Sequence, residues 1–212
     1  MSWLRATVET LLPTDCGGCD RALRVEDGRR ICARCAALLP RTLLPLASPP
    51  AGLATAWSWD SYDGPAARTL RRGKYRPDPG AVADVAERLA EAAGGRLPRV
   101  ERVVPVPQIW TSSLRRGFSP VDRLAETVAE RLGVPCDPLL ARVGGQAQAS
   151  LGPAERAQNV RFAFWARAPV APQDLLLVDD VVTTGATAAA CARELLVGGA
   201  RRVHLLALAS AR

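Results

Sequence analysis

Four apolar residues in an unbroken run, Leu175-Leu176-Leu177-Val178, stop at two adjacent carboxylates, Asp179-Asp180, and lead through Val181-Val182 into Thr183-Thr184-Gly185-Ala186-Thr187. An apolar run without alternation fits a strand covered on both faces, as the inner strands of a parallel sheet are. The alanine-rich segment from Ala188 to Val197 then reads as a helix capped by Gly198-Gly199, and Val203 to Ala209 reads as a second apolar strand. This is a βαβ unit, and it predicts an α/β domain. In open α/β sheets ligands lie outside the carboxyl ends of the strands, and that is where the aspartates and the hydroxyl-rich turn fall. Gly185 permits close backbone approach, and the helix start behind it offers N–H groups to an anion. Carboxylates suit neutral hydroxyls or a metal, whereas the turn suits phosphate. A phosphorylated sugar satisfies both.

Nearer the N-terminus, Cys16-Gly17-Gly18-Cys19 and Cys32-Ala33-Arg34-Cys35 form two Cys-x-x-Cys knuckles separated by twelve residues. Two such knuckles turn four thiolates toward one tetrahedral zinc ion. Asp27-Gly28 between them is a hairpin signal that would return the second knuckle to the first. Disulfides or a redox pair are the competing uses. A redox site needs only one knuckle, and the start from Met1 to Thr10 lacks the basic-then-apolar order of a signal peptide, so a cytoplasmic chain is expected, where disulfides are rare. With cysteine in all four positions the coordination shell is closed and the zinc is structural. Cys136 and Cys191 lie apart among apolar neighbours and read as buried, inert thiols.

The 212 residues, 48% of them hydrophobic, suffice for one α/β domain with a small appendage. The pieces divide as an N-terminal helix and zinc ribbon over 1–40, a proline-rich linker over 41–54 and the main domain over 55–212. Leu4, Val8, Leu11 and Leu12 give the first helix its apolar face before Pro13. Trp57 and Trp59 at period two predict a strand that Asp63-Gly64-Pro65 ends. Helices are expected over Ala66 to Arg72, Ala81 to Ala93 and Pro120 to Leu132, with Val103 to Pro107 a short buried strand stopped by prolines. The lone histidine, His204, falls in the last strand and is given no role. A net charge of +7 favours a phosphorylated or polyanionic partner. No stretch of about 18 apolar residues exists to span a bilayer.

Leu175 to Thr187 closely resembles the phosphoribosyl pyrophosphate signature of the type I phosphoribosyltransferases. The order of the other pieces is similar to that of the ComF (ComFC) family of competence proteins: a four-cysteine ribbon, Tyr62-Asp63-Gly64-Pro65, Val104-Pro105-Val106-Pro107, Arg116-Gly117-Phe118, and Glu155-Arg156 with Asn159-Val160-Arg161. That resemblance covers nearly the whole chain. It implies a type I phosphoribosyltransferase-like parallel sheet flanked by helices, with a small N-terminal zinc ribbon, in a protein that supports DNA uptake in natural transformation. Asp179 and Asp180 would hold the ribose hydroxyls, directly or through Mg²⁺, with Asp180 also stabilising a cationic ribose if the protein is a catalyst. Val181, Val182, Thr183, Thr184, Gly185, Ala186 and Thr187 would wrap the 5′-phosphate, and Val106-Pro107 would approach the pyrophosphate, with Lys74 and Arg116 supplying positive charge. Trp110, Arg115 and Arg116 are the candidates for single-stranded DNA.

The resemblance also implies DNA-uptake proteins as partners and a place at the inner face of the membrane beside them. Where the family commonly continues with Leu-His-Pro and basic residues after the valine-proline repeat, this chain has Gln108 to Ser113. Ser119-Pro120 stands where Asn-Gln is usual, and Gly145 where a threonine is expected. These departures bear on turnover more than on sugar-phosphate binding. The competing functions are a metabolic phosphoribosyltransferase acting on a base or amine, and a nucleic-acid module with a vestigial pocket.

Overall fold

The structure is a computed structural model and describes residues 15–23, 29–73, 78–108, 119–142 and 163–211. Its elements in chain order are α1 (Ala33–Ala37), β1 (Leu44–Pro45), β2 (Thr55–Ser61), α2 (Pro65–Gly73), α3 (Pro79–Ala93), β3 (Arg102–Pro105), α4 (Pro120–Leu132), β4 (Leu140–Arg142), β5 (Phe164–Ala166), β6 (Asp174–Val182), α5 (Ala186–Gly198) and β7 (Arg202–Ser210). The main sheet runs β1-β2-β7-β6-β3, with β2, β7, β6 and β3 mutually parallel and the two-residue β1 antiparallel at the edge. β4 and β5 form a separate antiparallel pair.

The unbroken apolar run of β6 is explained by two cores. Leu176 and Val178 pack toward α2, α3 and α4 with Leu89, Leu124, Val128, Leu206 and Leu208. Leu175 and Leu177 pack the other way, with Cys191 and Leu195 of α5, Leu140 of β4 and Phe164 of β5. Alternating side chains thus each find an apolar layer, as a strand covered on both faces requires. Past the two aspartates Val181 joins the first core and Val182 the second, so the alternation slips by one residue across Asp179-Asp180.

The helices begin and end where their sequences dictate. Ser119 caps α4 by accepting from the Asp122 N–H at 3.3 Å, Pro120 occupies the first turn, and Gly133 ends the helix with φ 69°. Asp78 caps α3 in the same way, accepting from the Ala81 N–H. At the amino end of β6, Asp174 is buried and accepts from Arg201 Nε at 2.8 Å and Arg202 Nε at 3.0 Å. Those charge-assisted bonds, led by Arg202, hold its carboxyl down at about 2. His204 is buried in β7 with Nδ1 2.7 Å from Thr55 Oγ1, a core placement.

Residues 41–54 are joined to the sheet. Leu43, Leu46 and Leu53 are buried, Leu44 and Pro45 pair with Ser58 and Trp57, and Trp59 Nε1 donates to Pro40 O at 2.8 Å. The four-cysteine head is likewise packed down: Cys16, Ile31 and Cys35 share the first core with Trp59 and Leu70. The N-terminal helix expected around Leu4 to Leu12 and the hairpin at Asp27-Gly28 lie outside the described residues.

Candidate functional site

Two connections leave the carboxyl ends of adjacent strands toward opposite faces. From β6 the chain enters α5 on one face, and the α4 that follows β3 in the chain packs with β3 and β6 on the other. A crevice must therefore open between the ends of β3 and β6, the switch point at which α/β sheets take ligands. Pro105 pairs with Val178, and the Val106 N–H donates to Val178 O at 2.9 Å, so Val106 and Pro107 lie on one wall beside Asp179. Thr183 to Gly185 connect the carboxyl end of β6 to the start of α5. Lys74, Trp110, Arg115 and Arg116 lie outside the described residues.

Asp179 and Asp180 are buried at 4% and 9% exposure, in the last four residues of β6, before Val181 and Val182 end the strand. Each carboxylate accepts the N–H of the next residue: Asp180 N to Asp179 Oδ1 and Val181 N to Asp180 Oδ1, both 2.8 Å. These bonds orient the side chains from the backbone, and a carboxylate, with two oxygens and about four lone-pair sites, is by its chemistry an acceptor for several donors at once. Hydroxyls of a sugar are such donors.

The turn beyond them is shaped by Gly185, which has φ 77° and precedes the first residue of α5. Gly185, the N-cap residue, has no side chain to cap that helix; among the described residues the Ala186 N–H has a long 3.4 Å contact with Thr184 Oγ1. Thr183 and Thr184 are exposed. The first N–H groups of an uncapped helix carry partial positive charge and are suited to an anion. A Cβ on Gly185 would come within 2.5 Å of Pro50 Cγ, so the 41–54 segment buttresses the turn from behind. That contact joins residues far apart in sequence and has no local signal. A groove of about 450 Å³ lined by Ala51, Gly52, Ala186, Ala189, Arg193 and Val197 opens beside the turn. Its walls are largely apolar, and the polar chemistry stays with the turn.

A third support comes from β2. Tyr62 N–H donates to Ser210 O, and Ala211 N–H to Val182 O, which ties the ends of β2, β7 and β6 together. Asp60 turns back to accept from the N–H groups of Ser61 at 2.8 Å and Ala66 at 2.9 Å, capping α2. A Cβ at Gly64 would overlap the Asp60 carboxylate at 1.9 Å, so a larger residue there would displace Asp60 from the two N–H groups it accepts from. The Tyr62-Asp63-Gly64-Pro65 motif is thus the strand-to-helix corner at the carboxyl end of β2.

The four ribbon cysteines form a second site. Cys16, Cys19, Cys32 and Cys35 have sulfur atoms all within 4.8 Å of one another. Cys19 Sγ and Cys32 Sγ are 3.7 Å apart, against about 3.8 Å for the edge of a tetrahedron with metal–sulfur bonds of about 2.3 Å. Gly18 and Cys32 donate N–H to Cys16 Sγ at 3.4 and 3.2 Å, and Cys35 donates to Cys32 Sγ at 3.4 Å. The Cys35 N–H draws the Cys32 thiol down to about 7, while burial first, and the neighbouring sulfurs after it, push Cys35 up. A divalent cation resolves that conflict by holding all four as thiolates, and the donor set fits zinc. All six cysteines are free of disulfides. Cys191 is fully buried and pushed up by desolvation, and Cys136, partly buried, is pushed up to about 11 for the same reason.

No protein-family model matches the chain. It is 39% identical over 114 residues to the DNA utilization protein YhgH of Salmonella typhi, covering 53% of this chain and 50% of that protein. The protein of the same name from Escherichia coli K12 is 36% identical over 117 residues, covering 54% and 51%. The chain thus spans about half the length of the curated relatives it matches. Among solved structures, a glutamine phosphoribosylpyrophosphate amidotransferase from B. subtilis, complexed with ADP and GMP, superposes at a TM-score of 0.42 with 22% identity, covering 59% of this chain and 25% of that one. Adenine phosphoribosyltransferase from Leishmania donovani superposes at 0.41 with 10% identity, covering 79% and 86%. No described helix is long and apolar enough to cross a membrane.

Proposed function

We propose that this protein is a ComF-like, phosphoribosyltransferase-fold protein that binds phosphoribosyl pyrophosphate, or a related sugar phosphate, in the crevice between β3 and β6 and supports DNA uptake through contact with single-stranded DNA. The observation that carries the reading is the pairing of two buried, backbone-oriented carboxylates with an uncapped helix start across a single glycine turn. Carboxylates accept from the ribose 2′- and 3′-hydroxyls, and the helix start and the Thr183-Thr184 hydroxyls donate to the 5′-phosphate. Asp179 and Asp180 would also hold Mg²⁺, which neutralises pyrophosphate charge when bound. Cys16, Cys19, Cys32 and Cys35 would hold a structural zinc. The DNA-utilization name of the relatives and the net charge of +7 support the DNA part of the reading.

Calorimetry with phosphoribosyl pyrophosphate and Mg²⁺ tests the pocket. Binding is expected for the native chain, and Asp179→Asn with Asp180→Asn together should weaken it by about 100-fold, the sum of two lost charge-assisted contacts of about 1.5 kcal/mol each. A native chain that binds neither this ligand nor ribose 5-phosphate defeats the reading. Pyrophosphate release in the presence of pooled bases and amines then separates a transferase from a binder.

A further inference from the structure

We infer that Arg142 is an anion-binding residue of the crevice, presenting the Nε–Nη edge of its guanidinium to a phosphate oxygen of the ligand. The inference rests on the sugar-phosphate reading above and adds to it a cation that neither the signature nor the resemblance assigns.

The path of the chain brings Arg142 to the right end of the sheet. Residues 135–137 run parallel to β3, with Val103 bridging Cys136, the Val103 N–H donating to Pro135 O and the Asp137 N–H to Val103 O. The chain is therefore travelling toward the carboxyl ends when it enters β4, whose last residue is Arg142. β4 and β5 pack on α5. Arg142 pairs in register with Phe164, and its guanidinium carbon lies 5.2 Å from the centre of that ring. Phe164 is buried in the same core as Val182 at the end of β6 and Ala188 and Cys191 of α5, and β5 packs on that helix.

The hydrogen bonding of Arg142 is incomplete. Its Nε is buried without a hydrogen-bond partner among the described residues. Arginines with structural work here fill that atom: Arg68 Nε donates to Gly18 O, Arg167 Nε to Leu140 O, and Arg201 and Arg202 Nε to Asp174. A guanidinium stays charged at any physiological pH, and a buried donor without a partner costs about 1–3 kcal/mol. Phosphate oxygens are its best geometric match, since the planar fork donates two parallel bonds. A ligand bearing phosphates beside two aspartates needs such a cation.

The test is titration of ribose 5-phosphate and of inorganic pyrophosphate, each with Mg²⁺, into the native chain, Arg142→Gln and Arg142→Lys. Arg142→Gln should weaken at least one of the two by roughly tenfold or more, while Arg142→Lys recovers part of the loss because it restores charge without the fork. Loss confined to ribose 5-phosphate places Arg142 at the 5′-phosphate; loss confined to pyrophosphate places it at the leaving group. Equal affinities in the native and Arg142→Gln chains, both folded by circular dichroism, overturn the inference and leave the sugar-phosphate reading standing. No binding by the native chain overturns both.

Discussion

Gly185 carries two constraints at once, a φ of 77° and a Pro50 ring where a side chain would stand. Gly185→Ala should therefore cost more than the roughly 1–2 kcal/mol of a left-handed alanine, because Pro50 Cγ at 2.5 Å from the new Cβ must also move. Shifting the turn re-aims the first N–H groups of α5, so ribose 5-phosphate affinity should fall along with the melting temperature. A variant as stable and as avid as the native chain would show that the turn is not the cradle. The sequence makes the glycine legible as a turn residue, but only the fold shows what lies behind it. Asp179 and Asp180 are legible because a strand, a carboxylate pair and a hydroxyl-rich turn adjoin in the chain. The surroundings of Arg142 are not, since Leu140-Ala141-Arg142 looks like any short polar-ended strand and its pairing with Phe164 comes only from the fold.

Among the elements, those whose periodicity and caps agree are read directly from sequence: α4 spans Pro120–Leu132 as expected, and α5 begins two residues earlier than its alanine run. The 41–54 segment reads as a linker because proline suppresses periodicity, yet its leucines at 43, 46 and 53 are buried and its Pro50 supports the turn. The ribbon is legible as four cysteines, whereas its seat is not. Gly17 and Gly18 press the first knuckle onto α2 and α3, where a Cβ on Gly17 would come within 2.9 Å of Ala81 Cβ. Arg72 Nη1 donates to Cys16 O at 2.7 Å and Arg68 Nε to Gly18 O at 3.0 Å, and Arg72 also pairs with Asp20. Because Cys16, Ile31 and Cys35 share a core with Trp59 and Leu70, the ribbon and the sheet should unfold together. Zinc in such sites contributes on the order of 10 kcal/mol of folding free energy, comparable with the roughly 5–15 kcal/mol that stabilises a whole domain. Metal analysis should find about one zinc per chain, and a strong chelator should lower the melting temperature of the entire α/β domain in a single transition. Melting that ignores the chelator while the four thiols become reactive would show instead that the ribbon is an independent unit.

At the scale of the molecule the relevant quantity is charge. A chain with a formal net charge of +7 attracts polyanions over a Debye length of about 10 Å at 0.1 M salt. Single-stranded DNA bound by such a field releases counterions, and the logarithm of affinity falls with the logarithm of salt by about 0.7 for each phosphate neutralised. Arg115 and Arg116, near Trp110 in the sequence, are the residues we propose for that contact, in a stretch outside the described residues. If both bind phosphate, Arg115→Ala with Arg116→Ala should reduce the magnitude of the salt slope by about 1.4 as well as weaken binding. Trp110→Ala should instead weaken binding with the slope unchanged, because stacking on a base, at about 1–3 kcal/mol, involves no counterion. Oligothymidine titrations at several salt concentrations separate the two. A native affinity that does not respond to salt, or a double variant with the native slope, would move the DNA contact away from this stretch while leaving the crevice between β3 and β6 untouched, since Asp179, Asp180 and the start of α5 are built from other elements.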